Sequence, residues 1–100
     1  MFAPERPHRC SPSVALRPEP FGALAYDFRT RRLSFLKTPA LVEVVRTLGD
    51  HPDVHTALTG AGVAREQHGA YLRALASLAD SGVIELRPEI RPEPFVERAA

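Results

Sequence analysis

Hydrophobic residues change their spacing in the middle of the segment "GALAYDFRTRRLSFLKTPALVEVV", residues 22 to 45. In its first half they occupy every second position, as in a strand with one apolar face, and after Pro39 they follow helical spacing. The pattern predicts two strands that lead into a helix. Five large side chains are expected on one side of the resulting sheet: Leu24, Tyr26, Phe28, Leu33 and Phe35.

The segment before these two strands predicts a third strand. "SVALR" predicts a short strand that "RPEPFG" ends, because Pro18 and Pro20 cannot donate to a central ladder. The turn "RTRR" lacks Asn-Gly and Asp-Gly, which predicts a loop longer than two residues or a bulge around residues 29 to 32. Residues 1 to 12 contain three prolines and no periodic pattern, so we expect a flexible lead-in.

Three helices are predicted after the strands. Thr38 and Pro39 form a good helix start, since a hydroxyl can cap free N–H groups and proline fits the first helical position. Asp53 can cap a second helix through about residue 59, which "GAG" closes, and a third helix runs from about 65 to 81 and ends at Gly82. "VIEL" at 83 to 86 adds a short extended piece. The apolar stripe of the first helix consists of Leu41, Val44, Val45 and Leu48, and that of the third of Leu72, Leu75, Ala76, Leu78 and Ala79.

This order predicts an α+β, winged-helix-like domain, with a three-stranded antiparallel sheet followed by three helices over residues 13 to 86. Residues 87 to 100 are expected to form a flexible, proline- and charge-rich tail, in which the "RPEPF" of 17 to 21 recurs at 91 to 95. A chain of 100 residues with 44% apolar content suits one domain with a modest core. The formal charge of +1 carries no global signal for nucleic acid or membrane, and the lone Cys10 and the lack of a long apolar run favour the cytoplasm.

The segments "RPEPFGALAYDFRTRRLSFLKTPALVEVV" and "YLRALASLADSGVIE" resemble the MftB peptide-chaperone family of mycofactocin biosynthesis, relatives of the PqqD-like recognition elements for ribosomally made peptides. The resemblance covers about residues 13 to 86. It implies a non-catalytic protein without cofactors that binds the leader of a precursor peptide as an added strand, beside the third strand and the third helix. It also implies presentation of the peptide to a radical S-adenosylmethionine maturase, which acts on the precursor's C-terminus.

The residues lead to a compatible hypothesis, because an edge strand offers unpaired N–H and C=O groups that an extended peptide can satisfy. Residues 31 to 37 are the best candidate edge, with three cations that could guide an acidic peptide. Tyr71 of the third helix is a candidate groove residue, and Leu72 and Leu75 join the set although periodicity also favours them for the core. The candidate peptide-binding residues are Arg31, Arg32, Leu33, Ser34, Phe35, Lys37, His68, Tyr71, Leu72 and Leu75.

Other interpretations of these residues stay open. Leu33 and Phe35 are typical core residues, and the arginines of the turn can be ordinary solvated side chains. A winged-helix DNA-binding protein would use Arg65, Gln67 and Arg73 on its recognition helix, and a dimerisation module would pair edge strands of two copies. No residue pattern indicates catalysis, a phosphate loop or a metal site, since His51 and His55 are separated by Pro52 and have no further ligands in a suitable pattern.

Overall fold

The computed structural model describes residues 2–88 of the chain. The strands are β1 (His8–Cys10), β2 (Val14–Glu19), β3 (Gly22–Asp27), β4 (Arg32–Leu36) and β5 (Ile84–Leu86), and the helices are α1 (Pro39–Thr47), α2 (Val54–Gly60) and α3 (His68–Asp80). Short 3₁₀ turns follow α1 and precede α3. The predicted α+β class, with a three-stranded antiparallel sheet before three helices, is confirmed. Most of the predicted tail, including the second "RPEPF", lies outside the described residues.

The three-stranded sheet has the order β2-β3-β4, with both pairs antiparallel. The prediction that "RPEPFG" breaks the first of these strands is wrong at Pro18, which lies inside β2 opposite Ala23. An edge strand tolerates proline because one side of its backbone has no ladder to supply. A side chain at Gly22 would collide with the Leu36 carbonyl, so glycine there lets β3 begin close against the end of β4.

The loop between β3 and β4 holds four residues, from Phe28 to Arg31, which confirms the prediction of a connection longer than two residues. Arg31 takes the left-handed conformation at φ 64°, uncommon for a residue with a side chain. Its N–H donates to the Asp27 carbonyl at 2.6 Å and closes the loop.

Residues 8–10 correct the prediction of a flexible lead-in. They form β1, which pairs antiparallel with β5 in a separate two-stranded sheet. Arg9 forms an ion pair with Glu85 across this sheet, with a guanidinium nitrogen 2.6 Å from the carboxylate. Before β1, the Pro4 carbonyl accepts the N–H of Val54, the first residue of α2, at 2.9 Å. These long-range partners order a segment whose local pattern carries no strand signal.

The helix signals in the sequence are confirmed. The Thr38 hydroxyl accepts the Leu41 N–H at 3.0 Å, Pro39 occupies the first position of α1, and Asp53 caps α2 by accepting the Thr56 N–H at 2.7 Å. Gly82, at φ 86°, follows the end of α3. The predicted stripe of α1 is fully in the core, which also contains Ala23, Ala25, Leu36, Val54, Leu58, Leu75, Val83 and Ile84.

Leu33 and Phe35 are not core residues, because they lie on the face of the main sheet that the helices do not cover. Strand alternation turns Ala23, Ala25 and Leu36 towards the helices, and these are buried. Leu33 and Phe35 point the other way and are 57% and 56% exposed. The five large side chains do share one face, as predicted, but it is the face away from the helices. The small alanines let α1 pack closely against β3.

Candidate functional site

Strand β4 is one edge of the three-stranded sheet, so one side of its backbone has no strand beside it among the described residues. Next to this edge lies a groove of about 420 Å³ between the end of β4, the start of α1 and the outward side of α3. Its walls are mostly apolar. The groove residues are Phe35, Lys37, Thr38, Leu41, Ala70, Tyr71, Ala74, Ser77 and Leu78. An open strand edge beside an apolar groove can accept an extended chain, with backbone pairing on one side and side-chain pockets on the other.

A hydrogen bond joins the two walls of the groove. The Tyr71 hydroxyl on α3 lies 3.0 Å from the Thr38 hydroxyl at the start of α1. Thr38 also caps α1, so its side chain, just after β4, contacts both the first turn of α1 and Tyr71 of α3. The ring of Tyr71 is half-buried and packs against the core on one side while it lines the groove on the other. Tyr71 therefore belongs both to the edge of the core and to the groove surface.

Three cations near the β4 edge have no acidic partner in the part of the chain that the structure describes. The ion pairs within residues 2–88 join Arg9 to Glu85, Arg17 to Glu19, Arg29 to Asp27 and Arg46 to Glu43. None of these pairs includes Arg31, Arg32 or Lys37, which are all exposed. No acidic side chain of residues 2–88 neutralises their charge, so this part of the chain presents a positive edge to solvent although the whole chain is nearly neutral.

Not all predicted contact residues reach the groove. The structure places Leu75 in the core with no exposed surface, so it leaves the set of candidate contacts. Leu72 is half-buried against the core, and His68 points to the Val63 carbonyl, 3.0 Å from its Nε2 atom. Neither lines the groove. Ser34 pairs with Ala25 and lies on the helix side of the sheet, so its side chain faces away from the exposed apolar face.

Sequence reasoning missed the groove residues on α1 and on the small-residue side of α3. The apolar stripe of α1 assigns Leu41 to the core alone, and the apolar periodicity does not single out Ala70, Ala74 or Ser77. Their spacing of about one helical turn along α3 was the available clue, because small residues repeated at i, i+4 and i+7 leave a shallow channel along a helix.

A buried carboxylate holds the loop that leads into β4. Asp27 is almost fully buried, and its Oδ1 atom accepts the Ser13 hydroxyl and the Arg29 N–H, each at 2.9 Å. Its Oδ2 atom has no hydrogen-bond partner within the described residues and lies 3.9 Å from the Arg29 guanidinium. Burial alone would raise the pKa of Asp27, but these hydrogen bonds, the Thr30 N–H and the nearby arginine charge outweigh it and lower the pKa below its usual value. Asp27 thus stays ionised and anchors the β3–β4 hairpin.

The groove offers mainly apolar contact surface, with Lys37, Thr38, Tyr71 and Ser77 as its polar side chains. The groove walls carry no carboxylate, histidine or cysteine, the side chains that most often act as acid, base or thiol nucleophile. Residues 2–88 also lack any group of three or more histidine, cysteine or acidic side chains that could hold a metal ion. Over the same range, no helix is both long and apolar enough to cross a membrane.

Comparison with known proteins agrees with this geometry. The chain is 53% identical over 83 residues to "Peptide chaperone MftB" of Mycobacterium ulcerans and to that of Mycolicibacterium smegmatis, and 52% identical to that of Mycobacterium tuberculosis. The aligned residues cover 83% of this chain and 76%, 81% and 76% of those proteins. No solved structure matches the chain. The model of the peptide chaperone MftB family matches residues 7–85, which includes β1, β4, the groove and most of β5. The chain therefore belongs to the peptide chaperone MftB family, a family of chaperones rather than enzymes.

Proposed function

We propose that this protein binds the leader of a ribosomally made precursor peptide along the β4 edge and presents the peptide to a radical S-adenosylmethionine maturase in mycofactocin biosynthesis. One observation carries the proposal: β4 is an open edge strand directly beside an apolar groove, in a chain of a peptide-chaperone family. The leader would form a fourth strand of the sheet, and no cofactor would be needed.

The backbone of β4 supplies the affinity that does not depend on leader sequence. Strand addition satisfies N–H and C=O groups that otherwise bond to water, and each new hydrogen bond contributes about 1 kcal/mol net. Leu33, Ser34 and Phe35 lie in the middle of this ladder. Because alternate residues of an added strand point to opposite faces, every second leader side chain would face the groove.

The groove supplies selectivity for apolar side chains. Phe35, Leu41 and Tyr71 offer large apolar surfaces, and Ala70 and Ala74 leave room between them. A volume of about 420 Å³ accommodates a few leader side chains rather than a whole peptide. We therefore expect a leader motif with two or three apolar residues at alternating positions.

The uncompensated charge of Arg31, Arg32 and Lys37 favours an acidic leader. Exposed cations act mainly on the rate of encounter and on orientation, whereas the groove and the ladder hold the bound peptide. A chain held by its leader leaves its other end free, which is where the maturase of the proposed pathway acts. The chaperone would thereby raise the effective concentration of the reacting end beside the enzyme.

Calorimetry with the full precursor peptide tests the proposal. We expect saturable heat with the precursor, and none with a truncated peptide that lacks the leader or with duplex DNA of random sequence. Absence of heat and of competition at protein concentrations of tens of micromolar would refute it, because strand addition with side-chain anchors gives tighter binding than that. Binding of the DNA in preference to the peptide would support the winged-helix alternative instead.

A further inference from the structure

The outward face of the three-stranded sheet carries apolar side chains that no described element covers. This outer patch consists of Phe21, Leu24, Tyr26, Phe28, Leu33 and Phe35. Among residues 2–88, it holds four of the five exposed large hydrophobic side chains. Folding normally buries such residues, so their concentration on one face indicates a surface used for contact with another molecule.

The aromatic rings of the outer patch are already arranged. Phe21 stacks on Phe35 with ring centroids 5.8 Å apart, and Tyr26 meets Phe28 edge to face at 5.0 Å. Rings that support one another lose little conformational freedom on binding, which favours a flat protein partner. A membrane-binding face would more often extend separate aromatic side chains, whereas these rings contact one another in pairs.

The size of the outer patch limits what can cover it. Four large side chains at about half exposure, with about 200 Å² each, present on the order of 400 Å². A specific interface buries about 800 Å² on each partner, so any partner must also contact surface beyond the patch. The outer patch adjoins the peptide groove, because Phe35 belongs to both surfaces.

The rim of the outer patch is mainly basic. Arg17, on this face opposite Leu24, is neutralised by its ion pair with Glu19 at 3.2 Å. Arg31 before β4 and Lys37 after it are exposed and have no acidic partner among residues 2–88. Pairing with a second copy would bring like charges near one another, whereas carboxylates on a different protein would complement them. Aromatic residues with arginine are also the composition typical of protein interfaces.

We propose that the outer patch is the docking surface for the peptide-modifying enzyme, which would contact it through a surface that is apolar at its centre and acidic at its rim. The proposal rests on the proposed function, because it takes as partner the radical S-adenosylmethionine maturase named there. The enzyme would lie beside the leader bound at β4, and near Phe35 it would contact both the outer patch and the bound leader.

Phe28 offers a clean test, since it is 63% exposed, follows the last residue of β3 and does not line the groove. The variants are Phe28→Ser, Phe28→Tyr, which keeps the ring, and Leu86→Ser, which removes a side chain of 45% exposure outside the patch. Purified maturase and precursor peptide are titrated separately against each variant. We expect Phe28→Ser to weaken maturase binding at least about tenfold, as loss of an interface ring does, with leader affinity within about twofold of wild type. The other two variants should bind both within about twofold of wild type.

Several outcomes would overturn the docking surface. They are maturase binding that Phe28→Ser leaves unchanged, absence of maturase binding to the wild type, and an equal loss in Leu86→Ser. Sedimentation and vesicles of equal parts phosphatidylcholine and phosphatidylglycerol test the other occupants, and a Phe28-dependent dimer or vesicle complex without a Phe28-dependent maturase complex would assign the face to them. Failure of wild type to bind the leader refutes the proposed function, and failure of wild type to bind the maturase refutes its presentation step together with this surface. Maturase binding by wild type that Phe28→Ser leaves unchanged refutes only this surface.

Discussion

Tyr71 is the residue at which binding and stability can be separated most sharply. Its ring lines the groove and its hydroxyl contacts Thr38 across it, whereas Leu75, four residues further along α3, is completely buried. The comparison uses Tyr71→Ala, which removes ring and hydroxyl, Tyr71→Phe, which removes the hydroxyl alone, and Leu75→Ala, which removes only core packing. If the groove binds the leader, Tyr71→Ala should mainly lower leader affinity, Leu75→Ala should mainly lower folding stability, and Tyr71→Phe should change both little.

The structure sets the expected magnitudes. Loss of the Tyr71 ring should weaken leader binding by about 1–2 kcal/mol, or roughly five- to thirty-fold, as for a truncated interface anchor. Tyr71→Phe keeps the groove wall and loses one exposed hydrogen bond, so leader affinity should change by less than about 1 kcal/mol. Leu75→Ala should cost about 2–5 kcal/mol of folding free energy. Tyr71→Ala should cost only about 1 kcal/mol, because only one side of the ring packs against the core.

Thermal melts and peptide titrations on all three variants check these values. A cost of 1 kcal/mol lowers the melting temperature of a domain of this size by about 4–8 °C, so Leu75→Ala should melt at least about 8 °C below wild type. Leader titrations are made below the melting transition of each variant, so that folded protein is compared with folded protein. If Tyr71→Ala melts early and then binds the leader normally once folded, Tyr71 belongs to the core and the groove on α3 is not the binding site.

Two further predictions concern charge. Replacing Arg31, Arg32 and Lys37 together by glutamine should slow leader association about tenfold at low salt and flatten its salt dependence, without lowering the melting temperature. Exposed charges act on encounter and are screened over about 8–10 Å at physiological salt. Stopped-flow association rates that match wild type at every salt concentration would rule out a guiding role. Folding lowers the pKa of Asp27, so below about pH 4 the unfolded chain binds more protons than the folded one. The stability that Asp27 provides is therefore complete above its unfolded pKa of about 4 and is lost as the pH falls through the lower folded pKa. Urea unfolding between about pH 6 and pH 3 should therefore show a steeper loss of stability in wild type than in Asp27→Asn, and parallel curves would show that Asp27 is not the anchor of the hairpin.

Local signals in the sequence determined most of the elements. The hydroxyl of Thr38, the proline after it and the carboxylate of Asp53 marked helix starts, and Gly82 marked the end of α3, because these effects depend on neighbours within one helical turn. Alternation of apolar residues likewise placed Leu33 and Phe35 on one face together with Tyr26. The charged segment 31 to 37 was also predicted as an edge, and β4 does lie at one edge of the three-stranded sheet.

Tertiary structure alone decided which face of the sheet is buried. Alternation shows that side chains share a face, but not which face the helices cover, and here close packing of α1 selected the alanines of β3 and left the large side chains outside. The pairing of β1 with β5 was equally hidden, because two three-residue strands at opposite ends of the described chain stabilise each other only after the core has brought them together. The groove has the same origin, since its walls come from β4, α1 and α3, and no local pattern records the distance between them.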